Sequence, residues 1–235
     1  TLERHNVLHR AGPAGMGEVE HQAGGGFVLR LIKRLGRCGA AGEIFAAWDA
    51  FEECPLITAD KRPAYLCVLL LWSRDLIRCS YEYGKITESF TVTWNHTTFA
   101  LLGLYYAGRY FDRHFRLSEA AEWLRRARLG FRSQARSWKP LEDADSYLVL
   151  TMRHAIDFSL ADWDLAFFEN GLIRQYADYA VSCGDSRQLP AGFGDSGYST
   201  QPRIAAVALP IAYWWMRDGG YRWILEHVLP DGWEN

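Results

Sequence analysis

Apolar residues recur at intervals of three and four along most of the chain from Phe27 onward, the spacing that puts them on one face of a helix. The pattern predicts helices near Phe27–Arg37, Gly42–Glu53, Pro63–Ser80, Thr97–Phe111, Ser118–Arg136, Ser146–Ala161, Leu165–Val181, Pro202–Arg217 and Gly220–Val228. Three of these carry start signals: Asn95, Ser118 and Asp145 each stand where a short polar side chain can accept from the first free N–H groups. Glu122 and Arg126 have the spacing of a stabilising pair on an exposed helix face. Strict alternation of apolar and polar residues is almost absent, its best instance being the short Ser89–Thr93.

Helix following helix through short connections implies antiparallel hairpins and an all-α fold. A bundle, a solenoid or a ring of hairpins would each satisfy the pattern, and no fixed-period repeat selects a known solenoid. Residues 1–26, ending in Gly24-Gly25-Gly26, read as an irregular segment or linker, and 27–235 as one helical domain.

Composition changes this picture little. With 235 residues, 49% of them hydrophobic and 23% charged, the chain can bury a substantial core. A formal charge of −2 with intermixed signs gives no reason to expect nucleic acid. No segment has the length and apolarity of a membrane span; Ala64–Trp72 comes nearest and runs into Arg74 and Asp75. Five cysteines without CxxC spacing suggest neither a disulfide framework nor a zinc site, and free thiols lean toward a reducing compartment. The 10 Trp, 12 Tyr and 12 Phe can pack helices or stack on the apolar faces of sugars.

Candidate chemistry gathers at two helix entrances. Trp94-Asn95-His96-Thr97-Thr98 places an amide and an imidazole at one, where backbone N–H groups favour a bound anion. Glu142-Asp143-Ala144-Asp145-Ser146-Tyr147 opens another, its acids suited to the first turn of a helix. Tyr147, Thr151, His154 and Phe158 then share one helical face. An amide to hold a carboxylate, an imidazole to bind or relay charge, and a phenol to exchange protons are the groups needed to remove a proton beside a carboxylate. Gly192-Phe193-Gly194-Asp195-Ser196-Gly197 has GxGxxG spacing, but neither a strand nor a βαβ pattern surrounds it, so it reads as a tight loop that can line a cleft. A glycosidase would instead need facing carboxylates, with Glu142, Asp143, Asp162 and Asp195 as the candidates. No histidines stand at metal-ligand spacing, and His114, His154 and His227 are isolated along the chain.

Trp94–Phe99, Leu104–Phe111, Ser137–Tyr147, Phe168–Gly171, Tyr176–Tyr179 and Phe193–Gly197, in this order, resemble heparinase II/III-type polysaccharide lyases; alginate lyases of related architecture share the Asn-His feature. The resemblance covers the second half best and fades before Pro63. It implies an α/α toroid, complete or incomplete, with an anionic polysaccharide or oligosaccharide in a cleft across one end. It implies metal-independent β-elimination on a uronic acid, without a cofactor. Asn95 would neutralise the carboxylate, His96 would bind it or accept the proton, and Tyr147 would serve as base, acid or both. Trp94, Glu142, His154 and Asp195 would complete the substrate contacts. Lyases of this kind are periplasmic or secreted and carry a C-terminal β-sandwich, for which this stretch of sequence has no strand-rich counterpart; a longer precursor would supply it.

Overall fold

The computed structural model of the chain describes residues 41–82, 95–136, 145–186, 189 and 203–229. Nine helices account for the regular structure of these residues, and none of them forms a strand: the fold is all-α. They are α1 (Ala41–Phe51), α2 (Arg62–Glu82), α3 (Asn95–Phe115), α4 (Ser118–Gln134), α5 (Asp145–Asp162), α6 (Ala166–Glu169), α7 (Leu172–Cys183), α8 (Arg203–Met216) and α9 (Gly219–His227). The helix expected near Phe27–Arg37 and the alternating Ser89–Thr93 lie outside the described residues. No helix among the described residues is long and apolar enough to cross a membrane.

Two compact units divide the chain, one comprising Thr1–Ile86 with Phe99–Leu129, the other Thr87–Thr98 with Gly130–Asn235. In the first, α2 turns Leu66, Leu69, Leu70 and Leu76 inward with the three-and-four spacing of a buried stripe. They meet Phe45 of α1, Leu104, Ala107 and Phe111 of α3, and Trp123 of α4 in one apolar cluster. Ser73, buried in the same face, spends its hydroxyl on the Leu69 carbonyl at 2.8 Å, so its polarity costs little. Arg74 of α2 clasps Glu119 of α4 through two hydrogen bonds of 3.0 and 2.8 Å. Glycines set how closely α1, α3 and α4 approach. A Cβ on Gly103 would stand 2.5 Å from Ala41 Cβ, and one on Gly108 would stand 2.7 Å from Leu124 Cγ.

In the second unit α8 is the hub, lying against α5, α7 and α9. Ala205, Ala208 and Ala212 are fully buried, small enough to let neighbours come close. Phe131 at the end of α4 stacks on Phe158 of α5, with centroids 4.4 Å apart. One long helix was expected over Leu165–Val181, and the chain instead breaks it into α6 and α7. Gly171 has φ of 75°, a left-handed turn that glycine adopts without strain. Asn170, just before it, reaches across to the Ala135 carbonyl at 2.9 Å. Asp218 caps α9 by accepting from Gly220 N–H at 2.9 Å.

The expected Glu122–Arg126 pair does not form an exposed clasp. Arg126 is buried, and Glu122 instead bonds Arg125, three residues on, at 2.7 and 2.8 Å. That guanidinium holds the Glu122 carboxyl below the usual carboxylate range.

Gly103→Ala should destabilise the chain by about 1–2 kcal/mol, overpacking outweighing the better helix propensity of alanine. Gly219→Ala, where the added carbon meets nothing within 4 Å, should be neutral or slightly stabilising. Urea unfolding of both variants checks this; equal stabilities would mean that α1 withdraws from α3 at no cost.

Candidate functional site

The first turn of α3 carries Asn95, His96, Thr97 and Thr98, all belonging to the second unit. Three of the four are buried, and His96 alone is exposed. Helix α5 supplies Tyr147, half-buried in its first turn, followed on the same face by buried Thr151, His154 and Phe158. The stripe expected from the sequence is therefore mostly an interior face.

One hydroxyl joins the two helices. Thr98 Oγ1 lies 2.9 Å from the Asn95 carbonyl and 2.8 Å from His154 Nδ1. A carbonyl can only accept, so the hydroxyl donates its single proton to Asn95 and must accept from the ring. His154 therefore carries a proton on Nδ1. Burial, with 2% of the residue exposed, pushes its pKa down to about 3, and neighbouring Arg153 pushes the same way. A base so weak is a poor proton acceptor near neutrality, and its position fits holding the first turn of α3 in place.

Other hydrogen bonds fix α5 from its own side and from α4. Thr151 Oγ1 donates to the Tyr147 carbonyl at 3.0 Å, and Gln134 Nε2 donates to the Thr151 carbonyl at 3.3 Å. Asn95 was expected to cap α3 with its side chain. Its Oδ1 is instead buried without a hydrogen-bond partner, although only 3% of the residue is exposed. Thr97 Oγ1, Ser133 Oγ, Gln134 Oε1 and Tyr176 Oη in the same unit share that condition. Burial also raises the Tyr176 phenol above the usual tyrosine range, so it stays protonated. Ser133 and Gln134 belong to none of the sequence motifs; their only signal is a polar residue on an otherwise apolar helical face.

Of the residues singled out from sequence, Trp94, Glu142 and Asp195 lie outside the described residues, as does Asp143. Asp162 is half-buried at the end of α5. The structure thus joins Asn95 and His154 through Thr98, sets His96 beside Asn95 facing outward, and places Tyr147 on the helix that His154 anchors.

Among the described residues one set of side chains has the spacing of metal ligands: Asp49, Glu52 and His114, in the first unit. His114 lies 65 residues from Asp49 in sequence, which is why no motif marks the set. Cys54 and Cys183 are free thiols.

No protein-family model, curated protein or solved structure matches the chain.

Because His154 folds neutral with a lowered pKa, the unfolded chain takes up a proton that the folded one refuses. The contribution is complete above about pH 6.5 and is lost as pH falls toward about 3. Urea unfolding of wild type should lose stability below pH 6 by up to about 1.4 kcal/mol per pH unit from this group. His154→Gln should be less stable at pH 7 but show a shallower slope. Parallel slopes in the two proteins would assign the titration elsewhere.

Proposed function

We propose that this chain is the helical, toroid-type domain of a polysaccharide lyase that cleaves uronic-acid glycans by β-elimination. One observation carries the reading: Asn95 and His96 open α3 while Tyr147 opens α5, and the Thr98–His154 hydrogen bond ties these helices together within one unit. The ordered motifs that resemble heparinase II/III-type lyases supply the chemistry.

Asn95 is the amide for the uronate carboxylate. The two ends of an amide exchange places by a half-turn of the side chain, so a position without a partner serves as donor when nitrogen occupies it. His96, exposed beside it, adds a second polar contact. With the carboxylate neutralised, the C5 proton becomes acidic enough for a phenolate to take. Tyr147 removes that proton, the electron pair forms the C4–C5 double bond, and the C4–O bond breaks. The departing oxygen takes a proton from the same phenol. Stabilising the developing enolate with one donor contributes about 3–4 kcal/mol to such a barrier. Thr98 and His154 act on Asn95 rather than on the sugar. Trp163, Trp214 and Trp223 expose aromatic surface in the same unit, which suits stacking on sugar faces.

Incubation with a panel of uronic-acid polysaccharides should raise the ultraviolet absorbance of a conjugated, unsaturated uronate. Tyr147→Phe should abolish the rise, and Asn95→Ala should cut it by at least 100-fold. Release of reducing ends without that absorbance would instead assign a glycoside hydrolase. Glycan binding without turnover, surviving Tyr147→Phe, would assign a binding module.

A further inference from the structure

The first unit contains a second constellation, independent of the lyase reading. Asp49 stands in the last turn of α1, Glu52 follows three residues later, and His114 stands in the last turn of α3. One ligand atom from each lies within 4.8 Å of the other two, and His114 Nε2 is 3.2 Å from Asp49 Oδ1. We propose that these three side chains bind a first-row divalent transition metal, Zn²⁺ foremost.

Geometry supplies the first reason. A cation that holds oxygen and nitrogen donors at about 2.0–2.2 Å needs them about 3–4 Å from one another, so a small inward movement completes the set. Asp49, with 46% of its side chain exposed, has the freedom to make it. The other two donors are already held. Tyr110 donates its phenol proton to Glu52 Oε2, and its ring packs against the His114 ring with centroids 4.8 Å apart. Outer-shell partners of this kind orient ligands in metal sites.

Electrostatics supplies the second. Both α1 and α3 end here, and the carbonyl end of a helix carries partial negative charge. The last turn of α1 contains no basic residue, and that of α3 holds Arg113 beside His114; Asp49 and Glu52 add two carboxylates at the end of α1, and Glu52 is only 4% exposed. A divalent ion answers all of these charges at once; a protonated His114 brings a single charge. The mixed nitrogen and oxygen donors favour a transition metal over Ca²⁺ or Mg²⁺, which prefer oxygen alone. Bound there, the ion would fasten the end of α1 to the end of α3.

Calorimetric titration of the chelator-treated full chain with Zn²⁺ should show one saturable site abolished by excess chelator, and Zn²⁺ should raise the thermal midpoint. Asp49→Asn and His114→Gln should each weaken binding at least tenfold, while His227→Gln, at the exposed end of α9, should leave it unchanged. Far-UV circular dichroism confirms that the variants fold, and Asp49→Asn changes a part-exposed group without altering its shape. Shifts of the His114 ring resonances on adding Zn²⁺ give a direct reading in wild type. Absence of saturable binding, affinity unchanged in both folded variants, or equal affinity for Mg²⁺ would overturn the proposal. In that case Asp49 and His114 are an ion pair only.

Discussion

Helix α3 has almost no side left for water: between Thr97 and Phe111 only Arg109 is exposed. A helix buried to that extent must satisfy every polar group it carries from within the protein, because solvent is not at hand. Its middle meets the demand by being apolar, with Leu101, Leu104, Ala107 and Phe111 fully enclosed. Its glycines answer a second demand. A helix covered this closely needs flat places, and Gly103 and Gly108 let Ala41 and Leu124 approach to distances that a side chain would forbid.

The first turn of the same helix cannot be apolar, since its leading N–H groups have no partners inside the helix. Here the protein buries Asn95, Thr97 and Thr98 and meets only part of their hydrogen-bonding capacity. Thr98 is the member that is settled. It returns its proton to the Asn95 carbonyl, one turn back, and takes another from His154. That choice dictates the tautomer of the ring, and burial dictates its charge. What remains unsettled is the Asn95 amide. A buried amide oxygen left short of a partner is costly, and Thr97 on the same turn shares that cost.

Much of the fold was legible because helical periodicity survives in a chain of this composition. The extents read for α4, α5, α8 and α9 agree with the structure to within a residue or two at each end. The errors have local causes. α3 runs four residues beyond its expected end because its stop is Arg116, a non-glycine residue with φ of 53°, where the usual glycine signal is missing. Trp163 and Arg217 turn the chain in the same way after α5 and α8. The opposite failure occurred at Gly171, a glycine that does break a helix but sits inside an apolar pattern that reads straight through it. Glu122 found Arg125 rather than Arg126 because the latter's position on α4 faces inward, a fact that pair spacing cannot carry. Asn95 and Tyr147 could be picked out because they begin helices. Thr98 could not, since its importance lies in a partner 56 residues away.

His154 and His114 show why residue type alone says so little about chemistry. Both stand on helices, and neither has a ligand-spaced neighbour in sequence. The fold sets His154 against the Thr98 hydroxyl and takes away its water, so the ring loses its charge and becomes a neutral strut. It leaves His114 partly exposed, against a tyrosine ring and close to two carboxylates at the ends of two helices, where positive charge is welcome. The imidazole is the same in both places; the difference is made by what the packing removes and what it brings near. His96, the most exposed of the three, is a third case, standing beside an amide whose acceptor has no partner. Of the three rings it is the one most open to solvent, while His154 acts through the turn it supports.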